Sequence, residues 1–256
     1  MSRDDGIHAS RQASPRRGLV VSDLHLFAHR SEGFTRFEAL RGQLDTLDLL
    51  VLNGDTFDFR WSTLGDQEAT VAAALEWLRG LVDDLPKCQV HFVFGNHDCL
   101  ATFQAALTSQ AAIWPRLHIH QEVFRLGPAL FLHGDCANCP MGARELTQYR
   151  ATWQQDRPRG QVAAAAYVWA DRLGLTRLAH QWHFPRPETV RRVVHYLDQA
   201  HPGWRAETRD CYFGHTHLPF DNYAHEGIRF HNTGSAIRGM ALNPIFFELP
   251  PAQAIP

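Results

Sequence analysis

The chain has 256 residues, of which 45% are hydrophobic, and its formal net charge is −2. A chain of this length can bury a large core, which favours one domain with an insertion over two domains. The nearly balanced charge argues against nonspecific nucleic-acid binding. The sequence contains no uninterrupted apolar span of about 20 residues, so we expect no transmembrane helix.

The N-terminal segment lacks the apolar centre of a signal peptide, and we expect residues 1–17 to form a disordered tail before one domain over residues 18–250. The five cysteines lie in or beside predicted core strands. Their odd number favours reduced thiols and therefore the cytoplasm. Cys136 and Cys139 form a C-x-x-C pair that could bind metal or cycle as a redox pair, but half of a tetrahedral site is missing, which favours structural thiols.

Five short apolar runs, taken in chain order, each lead directly into a polar cluster. They end at Val21, Leu52, Phe94, Leu132 and Phe213. Such runs predict buried β-strands with the polar residues in the loops just beyond them. In layered α/β sheets that edge is where ligands bind, so we expect the clusters to form one site.

Helical spacing appears between these strands. Residues 34–47, 66–85 and 100–112 have apolar positions three and four apart, and Asp66 is a candidate N-cap. Later in the chain, residues 228–230 and 245–249 resemble further strands. The alternation of strand and helix up to His133 predicts a layered α/β architecture.

The polar clusters contain the residue types that bind divalent metal ions. They supply Asp23, His25, Asp55, Asp58, Asn96, His97, Asp98, His133, His215 and His217. Mixed imidazole, carboxylate and amide ligands suit Mn, Fe, Zn or Co. On an extended backbone Asp23 and His25 would point the same way and chelate one ion, His215 and His217 could serve different ions, and Asp55 could bridge. A lone histidine is more often structural, but five ordered clusters make coincidence a poor explanation.

In order, the motifs D-x-H, G-D-x-x-D, G-N-H-D, H-G-D and G-H-T-H resemble those of the calcineurin-like metallophosphoesterase superfamily, over residues 19 to about 235. The resemblance implies an α/β (α+β) four-layer sandwich of two packed mixed β-sheets flanked by helices. It also implies two divalent metal ions, manganese above all, with Fe, Zn or Co as alternatives. The implied ligands of the first ion are Asp23, His25, Asp55 and His217, and those of the second are Asp55, Asn96, His133 and His215.

A mechanism follows from this site. Two cations would activate a water for in-line attack on phosphorus. His97 would act as general acid to the leaving oxygen, with Asp98 holding its ring. Asp58 would either hold a ligand histidine through its free ring N–H or cap its own loop.

The longest departure from a minimal catalytic core lies between His133 and Gly214. Residues 145–155, 161–173 and 188–200 have helical patterning, which predicts a helical cap insertion at about 140–208. Its aromatic residues would form a small core of their own or line an apolar pocket. Its arginines would be solvated or would face phosphates or anionic lipids, which allows peripheral membrane contact through the cap. Further site predictions are substrate contacts by Asn232, Arg144 and Arg191.

Among branches of the superfamily, the chain is most similar to the UDP-2,3-diacylglucosamine pyrophosphohydrolases of lipid A synthesis, through Ser22 to Leu26, His133 to Cys136 and Gly214 to Pro219. The implied reaction releases UMP and the lipid monosaccharide phosphate, lipid X, at the inner face of the membrane. That branch usually has Arg at the position of His97 and acidic residues soon after H-G-D. A phosphomonoesterase or phosphodiesterase on another substrate held under the cap therefore stays open, as does a non-catalytic metal-binding scaffold.

Overall fold

The computed structural model describes residues 16–155 and 180–250. The described strands are β1 (Arg16–Val21), β2 (Leu49–Asn53), β3 (Gln89–Val93), β4 (Leu117–His120), β5 (Val123–Leu126), β6 (Ala129–Leu132), β7 (Asp210–Phe213), β8 (Phe220–His225), β9 (Ile228–Asn232) and β10 (Ile245–Leu249). The described helices are α1 (Gly33–Glu38), α2 (Arg41–Leu44), α3 (Gln67–Asp84), α4 (Ala101–Ala111), α5 (Ala143–Gln154) and α6 (Arg186–Ala200). Two 3₁₀ turns cover Asp135–Ala137 and Trp204–Ala206.

The strands form two five-stranded mixed sheets. In the first sheet the order is β10-β1-β2-β3-β4, with β1 to β4 parallel and β10 antiparallel to β1. Every residue of β2 is buried, as expected for a central parallel strand covered on both faces. Because β1, β2 and β3 are parallel, the loops that follow them emerge at one edge of the sheet.

The second sheet has the order β5-β6-β7-β9-β8. Its three inner strands β6, β7 and β9 are parallel, and the outer strands β5 and β8 pair antiparallel. The loops after β6 and β7 therefore also emerge together, and they carry the H-G-D and G-H-T-H motifs.

Three apolar clusters account for four layers. One cluster joins the two sheets through residues such as Val51, Phe131 and Tyr212. A second packs α3 and α4 on the outer face of the first sheet. A third packs Val193 and Leu197 of α6 on the outer face of the second sheet. The expected arrangement of two packed mixed sheets flanked by helices is confirmed.

Helix α3 shows how the sequence sets these layers. The Asp66 side chain accepts a hydrogen bond of 2.7 Å from the Ala69 amide, so the N-cap prediction is confirmed. Ala74 and Leu78, four residues apart, are fully buried on the inner face of the helix. The helix is therefore held by its cap at one end and by its apolar stripe along its length.

Several boundaries differ from the sequence predictions. Arg16 and Arg17, assigned to the tail, are the first residues of β1 and pair with Leu249 and Glu248 of β10; residues 1–15 lie outside the described residues. The single helix predicted over residues 34–47 is two short helices, α1 and α2. Strands β4, β5 and β8 were not predicted.

The predicted cap is divided by the structure. Its first helix is α5, its last is α6, and the helix predicted over residues 161–173 lies outside the described residues. Helix α6 packs as an outer-layer helix, because Val193 and Tyr196 are buried in the cluster that covers the second sheet, and the cap stays a prediction. An amphipathic outer-layer helix and a cap helix have the same periodicity, so sequence could not separate them. In the described ranges no helix has the length and apolarity needed to cross a bilayer.

Candidate dinuclear metal centre

The seven predicted ligands lie in five loops at the carboxyl ends of strands. Asp23 and His25 follow β1, and Asp55 follows β2. Asn96 follows β3, His133 follows β6, and the pair His215 and His217 follows β7. All but His215 are buried. Convergence of strand ends from both sheets therefore forms one site, as the strand pattern predicted.

The first group of ligand atoms belongs to Asp23, His25 and His217, which lie within 4.8 Å of one another. His217 Nε2 is 3.2 Å from His25 Nε2 and 3.3 Å from Asp23 Oδ1. His25 Nε2 is 3.9 Å from Asp55 Oδ2. This group contains the residues that the resemblance implies for the first ion, with Asp55 at its border.

The second group belongs to Asp55, His133 and His215. His133 Nε2 is 3.3 Å from Asp55 Oδ2. Its other ring nitrogen, Nδ1, lies 3.3 Å from the Asn53 carbonyl oxygen, which fixes Nε2 toward the centre. Asp55 Oδ2 is thus near histidines of both groups, in the position of a bridging ligand.

The donor set fits two divalent ions. Asn96 Oδ1 and His133 Nε2 are buried and have no hydrogen-bond partner among the described residues, as expected of atoms that bind a metal. Asp23 and Asp55 are two nearly inaccessible carboxylates side by side, an arrangement that is costly without cations. The ligand types favour Mn, Fe, Zn or Co over Ca.

The backbone at the ligands differs from the extended form that we expected for Asp23 and His25. Five of the ligands have left-handed backbone: Asp23 (φ 53°), His25 (φ 46°), Asp55 (φ 50°), His215 (φ 66°) and His217 (φ 58°). Hydrogen bonds between loops hold this conformation, including His25 N to Asp55 O at 2.9 Å. Left-handed backbone costs about 1 kcal/mol or more for a residue with a Cβ. The fold therefore imposes the geometry of the ligands.

Two motif glycines lie directly against ligands from other motifs. A Cβ at Gly95 would come 2.2 Å from Asp55 Oδ1, and one at Gly214 would come 2.3 Å from Asp23 Oδ2. No side chain larger than hydrogen fits at either place without displacing a ligand. The glycines of G-N-H-D and G-H-T-H are thus part of the wall of the site.

The charges of the site are strongly coupled. Burial alone would lower the pKa of His133, but Asp55, together with the charges of Asp23 and Asp135, raises that pKa to about 10. Burial and the neighbouring His133 lower the pKa of His215 to about 3. Burial would raise the pKa of Asp55, yet the positive charges of His133 and His97 hold it well below its usual value. The carboxylates and imidazoles of the site therefore shift one another's pKa values strongly.

His97 lies beside the centre, with the Asp58 carboxylate close to its ring. Asp58 Oδ1 is 3.1 Å from His97 Nδ1, and Asp58 Oδ2 is 3.4 Å from Nδ1 of the ligand His25. Asp58 Oδ1 also accepts the backbone N–H of Arg60 and Trp61 at 3.1 and 2.9 Å. Burial would lower the pKa of His97, but the charges of Asp58 and Asp55 raise it. Asp58 therefore caps its own loop, and its hold on a ligand histidine stays a prediction that rests on its closeness to His25.

The expected contact of Asp98 with His97 is wrong. Asp98 is fully buried, and its carboxylate accepts the amides of Thr56 and Gly95 at 2.8 and 2.6 Å. Burial and the nearby charge of Asp55 raise the pKa of Asp98 to about 7. Asp98 therefore joins the loops of two motifs instead of positioning the candidate acid. Adjacency in sequence suggested the wrong carboxylate, since Asp58 comes from a different loop.

Segments from the predicted cap region surround the histidines of the site. The ring of Trp153 lies 4.6 Å from that of His97 and carries the Arg60 guanidinium 3.5 Å from its centroid. The ring of His180 stacks on that of His217 at 4.8 Å. Helix α5 and the segment around His180 thus both border the centre.

The three candidate substrate contacts lie in different surroundings, and the substrate role of each stays a prediction. Asn232 is fully buried, and its amide donates to Gly214 O and Thr216 Oγ1, so it holds the G-H-T-H loop. Arg191 is 63% exposed and pairs with Glu188 on α6. Arg144 is exposed near the start of α5 and contacts none of the described ligands.

Two elements were missed by sequence reasoning. Arg150 of α5 is buried and forms a two-point ion pair with Asp135 of the H-G-D motif, at 2.7 and 2.8 Å. Asn138 Oδ1 lies 3.0 Å from His215 Nε2. An arginine within a helix gives no signal that it is buried, so the ion pair could not be predicted from spacing.

Cys136 is buried whereas Cys139 is exposed, and all five cysteines are free thiols.

These features together define a class of protein, a hydrolase built around a two-metal centre. A family model for calcineurin-like phosphoesterases matches residues 17–219. The chain belongs to the calcineurin-like phosphoesterase family, whose members depend on a dinuclear metal centre, and it is a metal-dependent phosphoester hydrolase. A search of curated proteins finds no match.

Solved structures that resemble this chain are distant from it in sequence. One is a phosphopantetheinyl hydrolase of Mycobacterium tuberculosis, at 17% identity and a TM-score of 0.46 over 95% of this chain and 99% of that one. Another is Yfce, a phosphoesterase of E. coli, at 15% identity and a TM-score of 0.39 over 93% and 84%. A dimetal phosphatase of Danio rerio has 12% identity and a TM-score of 0.44 over 88% and 89%.

Proposed function

We propose that the two ligand groups hold a pair of divalent ions and that His97 gives its proton to the leaving oxygen of a phosphoric ester or diphosphate. The observation that carries the proposal is the position of Asp55, whose Oδ2 lies 3.3 Å from His133 Nε2 and 3.9 Å from His25 Nε2. When bound, the ions supply an activated water and neutralise charge on the phosphoryl oxygens.

The protein residues have separate tasks in this proposal. Asp58 orients His97 through Nδ1, which leaves Nε2 to donate the proton. Asp55 accepts the His97 backbone N–H at 2.8 Å, so the bridging carboxylate also positions the acid. Trp153 covers one side of the His97 ring and limits the access of water.

For the substrate, we propose UDP-2,3-diacylglucosamine, cleaved at its pyrophosphate to UMP and lipid X. Support comes from the motif resemblance at Ser22 to Leu26, His133 to Cys136 and Gly214 to Pro219. A monoester or diester of another kind is the second candidate. It is favoured by His97, which stands where the pyrophosphohydrolase branch usually has Arg.

The test uses purified protein loaded with Mn²⁺ and follows UMP release from UDP-2,3-diacylglucosamine beside hydrolysis of 4-nitrophenyl phosphate and bis(4-nitrophenyl) phosphate. Asp55→Asn removes the bridge, and Asp83→Asn, at an exposed position of α3, is the matched control. We expect UMP release that Asp55→Asn abolishes and Asp83→Asn preserves.

Two other outcomes would decide between the hypotheses. Cleavage of the nitrophenyl esters without UMP would refute the lipid substrate and retain the second candidate. Two bound ions, measured by mass spectrometry, with no ester cleaved would overturn the catalytic proposal and support a metal-binding scaffold.

A further inference from the structure

A groove with a volume of about 370 Å³ opens beside the metal centre. It is lined by Gln181 with residues 184–186, 216–220 and 240–241, and we call it the Arg186 groove. Its volume is within the range of small-molecule sites. Among its lining residues, only His217 takes part in the proposed metal chemistry.

His217 connects the groove to the centre, because it is both a wall of the groove and a member of the first ligand group. A phosphoryl group held at the centre would therefore place part of its ester in or at the mouth of this groove. The groove is thus a candidate for the part of the substrate that is not phosphoryl.

The walls of the groove are apolar and held in place. Phe184, Phe220 and Met240 are each about 7% exposed. Phe220 begins β8, pairs with Asn232 of β9 and packs on Phe213 at 5.6 Å between ring centroids. A site with such walls binds apolar groups without having to reorganise.

The groove is lined by an arginine, Arg186, which carries a full positive charge. Arg186 is exposed at the first residue of α6, and its guanidinium lies 5.0 Å over the ring of Phe220 and 5.9 Å from that of Tyr223. No carboxylate of the described residues pairs with it. A guanidinium stacked on aromatic rings is oriented by them while its N–H groups stay open to an anion.

From these observations we infer that the Arg186 groove binds the leaving group of the substrate, and that this leaving group has an apolar body carrying a second negative charge that pairs with Arg186. The inference rests on the proposed function, since it takes the phosphoryl group to lie at the metal centre. It selects anionic amphipathic esters over neutral sugar or cationic ones.

The probes are three esters: 4-nitrophenyl phosphate, 2-naphthyl phosphate and 6-carboxy-2-naphthyl phosphate. Each variant is compared with the unmodified chain on the same ester, so that differences in the reactivity of the esters cancel. We expect Arg186→Gln to lower kcat/KM for the carboxylated ester about tenfold more than for the other two, as is typical for loss of one hydrogen bond to a charged group. We expect Met240→Ala to lower kcat/KM for both naphthyl esters several-fold more than for the nitrophenyl ester.

Arg79→Gln removes the same charge from the exposed face of α3 and is the matched control. Equal losses on all three esters in Arg186→Gln would overturn the inference while leaving phosphoesterase activity established. If no ester is cleaved, calorimetric titration with 6-hydroxy-2-naphthoate, the leaving group itself, tests the groove without turnover. Binding that Arg186→Gln weakens about tenfold would then support the inference, and binding that it leaves unchanged, or no binding, would refute it.

Discussion

Replacement of Gly95 by alanine tests how closely the walls of the centre fit its ligands. The new Cβ would lie 2.2 Å from Asp55 Oδ1 and 2.6 Å from the Asp55 amide nitrogen, whereas ordinary contact begins at 3.4 Å. The carboxylate would have to move by about 1.2 Å and the backbone by about 0.8 Å. Since Asp55 is 1% exposed in a close-packed interior, neither movement is easy.

We expect Gly95→Ala to lower kcat/KM by on the order of 100-fold, because a misplacement of about 1 Å at a catalytic group has effects of that size. Overpacking of the interior should also lower the free energy of unfolding by about 1–3 kcal/mol. Hydrolysis of 4-nitrophenyl phosphate at saturating Mn²⁺ measures the first effect, and urea unfolding measures the second.

Gly80→Ala is the matched control, since a Cβ at this exposed position of α3 meets no atom within 4 Å. This variant should keep the full rate and gain up to about 1 kcal/mol of stability from the higher helix propensity of alanine. Wild-type rate and stability in Gly95→Ala would refute the reasoning, because they would mean that the loop relaxes without moving Asp55.

Three further predictions follow from the contacts described above. Asp58→Asn keeps the loop hydrogen bonds but removes the negative charge beside His25. The affinity for Mn²⁺, measured by calorimetry, should therefore fall about 10–100-fold. The control variant Asp66→Asn, at the N-cap of α3, should leave the Mn²⁺ affinity unchanged. Arg150→Met leaves the buried Asp135 carboxylate without its ion-pair partner and should lower the free energy of unfolding by about 3–5 kcal/mol. A loss below about 1 kcal/mol would contradict the buried ion pair. Asp210 is half-buried, which alone would raise its pKa, but hydrogen bonds with His231 and Arg229 lower that pKa from 3.8 to about 2. Its contribution to stability, about 1–2 kcal/mol, is therefore present above pH 4 and lost as the pH falls through 2. In urea titrations, Asp210→Asn should be clearly less stable than the unmodified chain at pH 5, and this difference should shrink at pH 2. A difference that stays constant with pH would contradict the assignment.

The strands that the sequence predicted most directly are those formed by continuous apolar runs. Strand β2 is buried at every position, and a run of four or five apolar residues is a local signal. Strand β4 was missed because His118 and His120 occupy positions where apolar residues were expected. Their rings stack with that of His91 on β3, a contact that exists only once the strands pair.

The site was predictable to the extent that its chemistry is local. Each ligand motif follows its own strand, so the metal-binding residue types could be read motif by motif. Partners between motifs could not be read in this way, as the contact of His97 with Asp58 shows. Neither could the left-handed backbone, since Asp and His are only enriched in that conformation and do not require it.

The left-handed backbone at Asp23, His25, Asp55, His215 and His217 has an evolutionary consequence. At about 1 kcal/mol each, the five positions together cost an amount comparable to the lower range of the net stability of a whole domain. Selection for catalysis keeps these residues in place against that cost. In a descendant that no longer used metal ions, glycine or asparagine at any of the five would relieve the strain and be favoured. The residues found at these positions in distant relatives would therefore distinguish working hydrolases from lineages that have given up the reaction.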